Sequence, residues 1–400
     1  CKRIDWEKKV LQLSFAQFRQ GSYIVVEGKP KSDFFYIIQK GLVQCSKSSD
    51  QDAPIKYGPG DFIGVVPCMS GHAQIETAMA VTDVTCICVK REQYPELIAN
   101  NTPLALKIIK SFANRMRVMN DILASIALNN VAQVSNELIF STAEFYEKIG
   151  KKDIAAYAYY QFLKTKPEGA HADAAKQRFV ALKPSSKAVY FEPTAELTRA
   201  YPKDTMIFSE AQSGAEMFII KDGEVAISKV VDGNEVVLAV LKQGDMFGEM
   251  ALLEHKPRSA SAIAHSDCHL MVVNRSNFDQ MVSTQPQLIS KLTTTLSERL
   301  WSMYRQIDNA YLKDPVHKMV DMLSLQMEKS KVICDRPNLN WQTEITPQDL
   351  CNMCGIAQEL QSKAIYDFSH MSVIKLNDNK IYVKDCFEVT KQAAFFKKQR

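Results

Sequence analysis

A carboxylate and a guanidinium stand close together in the run Phe247-Gly248-Glu249-Met250-Ala251 through Pro257-Arg258-Ser259-Ala260. A planar guanidinium donates two parallel charge-assisted hydrogen bonds to a singly charged phosphate, each worth roughly 1.5–3 kcal/mol net. A carboxylate beside it accepts from a ribose 2′-hydroxyl. Gly248 permits a tight turn, and Glu249, Met250 and Ala251 open a short helix whose unpaired N–H groups point at the phosphate. Pro257 fixes the approach of Arg258, and Ser259 and Ala260 offer small side chains with free amides. Together these residues supply the parts a cyclic nucleotide requires. A lone Gly-Glu or Pro-Arg would be an ordinary surface turn; the joint spacing argues for a site.

Two stretches of the chain share one layout that can position such a run. Residues 21–89 and 205–273 both show short β-branched and aromatic runs separated by Gly, Asp and Pro turns. Ser32-Asp-Phe-Phe-Tyr-Ile-Ile-Gln-Lys-Gly41 lies over Ala215-Glu-Met-Phe-Ile-Ile-Lys-Asp-Gly223, and Gly60-Asp61-Phe62 over Gly244-Asp245-Met246. The pattern predicts a duplicated antiparallel β-roll, spaced too widely for a solenoid. Each roll leads into a helix. After the first, Thr102-Pro103 opens one through Leu104, Ile108, Phe112, Met116 and Met119. After the second, Leu288, Leu292, Leu296, Leu300 and Tyr304 form a sustained stripe, either core packing or a dimer seam. The seam is the favoured reading, because the stripe outlasts what one small roll could cover, and it predicts a homodimer.

Between the rolls, Ala143-Glu-Phe-Tyr146, a Gly150 turn, Ala155, Tyr159, Phe162 and Pro167 resemble a single tetratricopeptide-type hairpin, expected to act as a rigid spacer. Beyond Asp314 come a helix from Pro315 to Glu328, a short helix opened by Thr346-Pro347 with Asp349 in its first turn, and a second helix over 358–370. Two strands around Ile374 and Ile381, joined by Asn377-Asp378-Asn379, complete a winged helix-turn-helix pattern. The fold class expected is α+β: two β-rolls with long helices, a helical connector and a winged domain, divided as 1–122, 123–190, 191–312 and 313–400.

On the strength of the Gly248–Ala260 run and the duplication, the sequence resembles the cyclic-nucleotide-binding domain family. With the winged section it resembles the catabolite-activator and fumarate-nitrate-regulator superfamily over residues 195–390. The resemblance implies an eight-stranded roll in which Glu249 holds the ribose and Arg258 the phosphate, with Asp314 as the hinge into a DNA-binding domain. Cyclic AMP is favoured on family frequency, and cyclic GMP and cyclic dinucleotides stay open. A hydroxyl after the Arg, here Ser259, can favour guanine in the family, and Trp301 or Tyr304 could stack on the base.

The first roll departs from the pattern. Val65 stands at the Glu position and Gln74 at the Arg position, so a cyclic phosphate would be desolvated there without a partner. This roll is read as a pseudo-site. The winged section departs too. The family's second helix begins Ser-Arg-Glu-Thr and enters the major groove, whereas here the residues are Ala357-Gln358-Glu359-Leu360, then Ser362 and Lys363. Gln358 could pair with adenine and Glu359 could accept from cytosine, with Ser362 and Lys363 beside them. Residues 314–400 carry twelve Lys or Arg against eleven Asp or Glu, a net of +1, which supplies little non-specific DNA affinity. The rival reading is a winged domain that contacts proteins. The basic tail, Lys391, Lys397, Lys398 and Arg400, is read as a solvated terminus.

Composition narrows the classes. A net charge of +4 over 400 residues gives no overall pull toward nucleic acid. No apolar run approaches the roughly 20 residues of a membrane helix. Ten scattered cysteines suggest a reducing cytoplasm, and the Cys351-Asn-Met-Cys354 pair, with no second half-site, reads as helix packing rather than metal. Seven histidines lie singly, and no nucleophile–base pair or triphosphate loop is present, so no catalytic or metal site is expected. The chain begins at Cys1 without a Met, so its natural start is expected upstream.

Overall fold

The computed structural model describes residues 12–30, 32–47, 54–128, 136–165, 167–190, 197–231, 233–254 and 257–398. Continuous apolar runs become the central strands of both rolls, because only a strand covered on both faces accommodates them. The first roll contains β1 (Ser14–Phe18), β2 (Tyr23–Val25), β3 (Phe34–Lys40), β4 (Val43–Ser46), β5 (Ile55–Tyr57) and β6 (Phe62–Ile63), with β3 among the central strands. Helix α1 (Val65–Ser70), β7 (Thr77–Ala80), β8 (Val84–Lys90), α2 (Tyr94–Asn100) and the long α3 (Thr102–Leu128) follow. A three-helix connector, α4 (Asn136–Lys148), α5 (Lys152–Lys164) and α6 (Ala170–Leu182), leads to the second roll.

That roll repeats the first: β9 (Thr198–Tyr201), β10 (Met206–Phe208), β11 (Glu216–Asp222), β12 (Val225–Val231), β13 (Asn234–Leu241) and β14 (Met246–Phe247). Then come α7 (Glu249–Glu254), β15 (Ser261–Ala264), β16 (Cys268–Asn274), α8 (Arg275–Thr284) and the long α9 (Pro286–Ala310). The sheet orders coincide. The first roll stacks β1-β8-β3-β6 on β2-β7-β4-β5, and the second stacks β9-β16-β11-β14 on β10-β15-β12-β13. Even the irregularities repeat, with a bulge between Ile38 and Lys40 and another between Ile220 and Asp222. Gly41 and Gly223 stand at positive φ, where a Cβ would run into the carbonyl of Asp83 or Asp267. Glycine is required at both.

The long helices pack on each other within the one chain. Helix α3 lies along α9, while α1 of the first roll covers α9 and α7 of the second covers α3. Leu292, Leu296 and Leu300 are fully buried in this seam. Tyr94 Oη and Thr293 Oγ1 meet across it at 2.9 Å, and Lys47 Nζ donates to Asp308 Oδ1 at 2.8 Å. The stripe expected to close against a second copy is thus filled by the chain's own first roll. The reason is the duplication itself: two copies of one self-complementary helix surface make the contact in cis.

The connector packs on the second roll. Ile139, Phe140, Tyr146, Tyr159 and Phe162 share a core with Met206, Ala211 and Ile263. Tyr157 Oη donates to the Ile207 carbonyl at 2.9 Å.

The carboxy-terminal section contains α10 (Pro315–Lys329), β17 (Trp341–Gln342), α11 (Pro347–Met353), α12 (Gln358–Ser369), β18 (Ile374–Asn377), β19 (Lys380–Val383) and α13 (Cys386–Lys398). Asp314 caps α10 by accepting from the Val316 and His317 amides, and Thr346 with Asp349 forms a capping box on α11. Within helix α13, Lys391 and Lys398 are exposed as expected of a solvated basic tail, Arg400 lies outside the described residues, and Lys397 is the exception. The helix packs on α10, and Lys397 Nζ reaches the buried Asp321 Oδ1 at 2.7 Å. Cys351 and Cys354 are both buried, with Cys351 Sγ 3.7 Å from Met319 Sδ.

Candidate nucleotide site in the second roll

Glycine 248 makes the turn between β14 and α7 at φ 77°, and its missing side chain leaves room for Arg258: a Cβ there would lie 2.6 Å from Nη1. Gly214 does the same from the other side, 2.6 Å from Nε. Backbone pairing fixes the base of the side chain. The Arg258 amide donates to Gln212 O and the Ala211 amide to Arg258 O, both at 2.9 Å. The guanidinium lies 4.2 Å over the Phe208 ring, and Nη1 donates to the Gly248 carbonyl at 2.8 Å.

Among the described residues no carboxylate forms an ion pair with this cation. Arg258 is 6% exposed, and its buried Nε has no hydrogen-bond partner. Burial pulls the guanidinium down to about 10, against the opposing pull of Tyr157, Glu216 and Glu249, so it stays charged at neutral pH. The two carboxylates are committed elsewhere. Glu216 accepts two parallel bonds from Arg199 at 2.8 and 2.9 Å, and Glu249 accepts from Arg299 Nη1 at 3.1 Å. A buried charge without a counter-ion is costly, and a bound phosphate would remove that cost.

The residues expected from the sequence fall as follows. Glu249 opens α7 at 2% exposure, Ala251 and Ala260 are buried, and Ser259 Oγ lies 3.7 Å from Met250 Sδ. Gly248, Glu249, Met250, Ala251, Arg258, Ser259 and Ala260 therefore share one neighbourhood. Tyr304 does not join them. Its ring lies 5.0 Å from Lys47 Nζ, and its oxygen acts on Arg115, so it faces the first roll. The shared seam turns that face of α9 away from the second roll. Glu359, Ser362 and Lys363 are exposed on α12; Gln358 opens that helix, and its side chain lies outside the described residues.

Sequence reasoning missed Arg299, Phe208 and Gly214. Arg299 had a signal: Arg115 stands at the matching place after the first roll, as Lys107 matches Lys291. Phe208 and Gly214 had none, because an aromatic strand residue and a loop glycine are ordinary until Arg258 is seen between them. In the first roll, Val65 and Gln74 hold the matching places and are both buried.

Fold and geometry define a pair of matching β-rolls, the second of which holds a buried arginine beside the turn that opens α7. The family described as cyclic nucleotide-binding domain matches residues 15–101 and 198–285, one match in each roll. The chain is 28% identical over 185 residues to a cAMP-activated global transcriptional regulator CRP of Pasteurella multocida, covering 46% of this chain and 88% of that protein. It is 23% identical over 194 residues to a CRP-like cAMP-activated global transcriptional regulator of Mycobacterium tuberculosis, covering 48% and 86%. Among solved structures it is similar to a CooA mutant from Carboxydothermus hydrogenoformans, with a TM-score of 0.40 and 17% identity over 49% of this chain and 87% of that one. Among the described residues no helix is long and apolar enough to cross a membrane.

Proposed function

We propose that the chain is a cyclic-nucleotide-responsive regulator that takes one cyclic mononucleotide in the second roll. The buried guanidinium of Arg258, with no ion-pair partner among the described residues, carries this reading. Gly248 and Gly214 make room for it, and Glu249 stands beside it as a ribose acceptor. Cyclic AMP is the favoured ligand, since the relatives are named as cAMP-activated regulators, with cyclic GMP as the competitor. Residues 191–312 form the binding unit, residues 1–122 a pseudo-site, residues 123–190 a spacer, and residues 313–400 a winged output domain. DNA is the proposed target, read through Gln358, Glu359, Ser362 and Lys363 on α12. The rival target is a protein, favoured by the exposure of Leu360 and Tyr366 on that same helix. Calorimetric titration with cyclic AMP, cyclic GMP and cyclic dinucleotides tests the ligand. Absence of heat with all of them would overturn the reading.

A further inference from the structure

From Gly60 onward the two halves keep a constant offset of 184 residues, so that Gly60 matches Gly244, Val65 matches Glu249, Lys107 matches Lys291 and Arg115 matches Arg299. Each long helix carries an arginine at the same place, and each arginine reaches back to its own roll. Arg299 of α9 donates to Glu249 at 3.1 Å and to the Met246 carbonyl at 2.6 Å. It thereby ties α9 to the turn that would hold a nucleotide.

Arg115 of α3 cannot make that contact, because its matching acid is Val65. Its Nη1 instead lies 3.8 Å from Glu76 Oε1, and its Nη2 donates to Tyr57 Oη at 2.5 Å. Glu76 matches Ala260, one of the small residues beside which a phosphate would lie in the second roll. The pair spans the cavity between the first roll and α3, which Tyr57, Val65, Glu76, Lys107 and Arg115 help to line. Both side chains are largely buried, at 20% and 16% exposure. Burial, the largest influence, would lower the Arg115 guanidinium; the charge of Glu76, with Tyr304 and Tyr57 acting in the same direction, more than offsets it and holds the group above its usual range. Lys107 adds a second tie, donating to Gly60 O at 2.6 Å and to Asp61 Oδ1 at 3.2 Å.

We propose that the Glu76–Arg115 pair is a built-in substitute for a nucleotide, which holds α3 against the first roll whether or not any ligand is present. The carboxylate has moved from the ribose position to the phosphate position, so it repels a cyclic phosphate and pairs with the helix arginine without competition. In the second roll the corresponding acid, Glu249, is shared between Arg299 and the ribose, so the tie there responds to ligand. Helix α3 is then the fixed platform and α9 the moving part. The moving half of this proposal rests on the second roll binding a cyclic nucleotide; the fixed half does not.

The test is hydrogen exchange by mass spectrometry on the full chain, with and without cyclic AMP, in wild type, Glu76→Gln and the charge-swapped Glu76→Arg/Arg115→Glu. In wild type, α3 peptides should exchange at one rate with or without nucleotide, while α9 peptides change. Glu76→Gln keeps the shape and removes the charge, and should speed exchange in ligand-free α3 by about three- to tenfold. Peptides of β11 and β16 should not change, and the charge swap should restore protection. Unchanged α3 exchange in Glu76→Gln would sink the proposal, as would faster exchange spread equally over both rolls. So would α3 protection that rises with cyclic AMP in wild type. If no nucleotide binds, only the α9 response disappears, and the ligand-free comparison of α3 still decides the fixed half.

Discussion

His72 and Glu328 meet at 2.9 Å, Nδ1 to Oε1, joining the first roll to α10. His72 follows α1 of the first roll, and its ring stacks 3.7 Å from that of Trp301 on α9. Glu328 also accepts from Arg305 at 3.0 Å, and Arg305 donates to the buried Asp321 at 3.1 Å. Asn309 donates to Asp321 at 3.0 Å as well. First roll, α9 and the carboxy-terminal section thus converge on one polar node. The stretch of the first roll that carries Val65 and Gln74 also carries a contact to the carboxy-terminal section.

His72→Ala should loosen that junction. It removes a ring stack and a bond to a carboxylate, together worth about 1–2 kcal/mol. Faster exchange confined to α10 and the end of α9 is the expected result. Unaltered exchange there would show the contact to be incidental.

The same junction has a predictable acid limit. Burial would raise Glu328, but the His72 bond and the charges of Arg305 and Lys397 outweigh it and hold the carboxyl below its ordinary range. A depressed folded value means that the contribution is present above the ordinary carboxylate range of about 4.3 and is lost as pH falls through the folded value. The docking of α10 should therefore weaken only as pH falls below the ordinary carboxylate range. Glu328→Gln should remove that acid sensitivity in α10 exchange measured between neutral pH and about pH 3.

Arg258→Leu should abolish binding of cyclic mononucleotides without unfolding the chain. The substitution removes a buried charge that has no counter-ion among the described residues, so Tm should hold or rise. Wild type should take one mononucleotide per chain, because Val65 and Gln74 cannot supply the missing groups. Titration calorimetry with a thermal melt reads both quantities. Retained affinity in the variant would overturn the assignment, and a second equivalent of nucleotide in wild type would overturn the pseudo-site.

Much of the fold was legible because the chain states it twice. Apolar runs followed by Gly41 and Gly223, and the matched Gly60-Asp61 and Gly244-Asp245 turns, fix strand order in both halves. The capping residue Thr346 fixes the start of α11, whereas Asp314, read as a hinge, proves to cap α10. The partner of the Leu292, Leu296 and Leu300 stripe was not legible, since an apolar stripe reports that something covers it and not whether the cover is a second copy. Helix α13 escaped for a related reason. Lys397 reads as solvated, like Lys391 and Lys398, until Asp321 is seen buried beneath it. At the site, chemistry was legible from residue type and spacing, whereas Phe208 and Gly214 come from a distant strand and loop.

Closing the helix seam within one chain changes what the output section can read. The sequence alone predicts a homodimer joined through residues 288–304 and therefore palindromic DNA sites. With Leu292, Leu296 and Leu300 buried against the chain's own α3, that surface is spent, and the chain should sediment at 45.1 kDa. One paired sensor then carries one α12, so selection from random duplexes with cyclic AMP present should enrich a single asymmetric half-site rather than an inverted repeat. Lys363 is exposed on α12, and Lys363→Ala should weaken binding to all sequences alike, lowering the salt slope by about one. Gln358→Ala should instead relax preference at one base pair. A palindrome with half-sites about 34–36 Å apart would require a second join between chains and would overturn the single-chain reading. Failure to enrich any motif at low salt, with the second roll shown to be occupied, would move the output to a protein partner held by the face that exposes Leu360 and Tyr366.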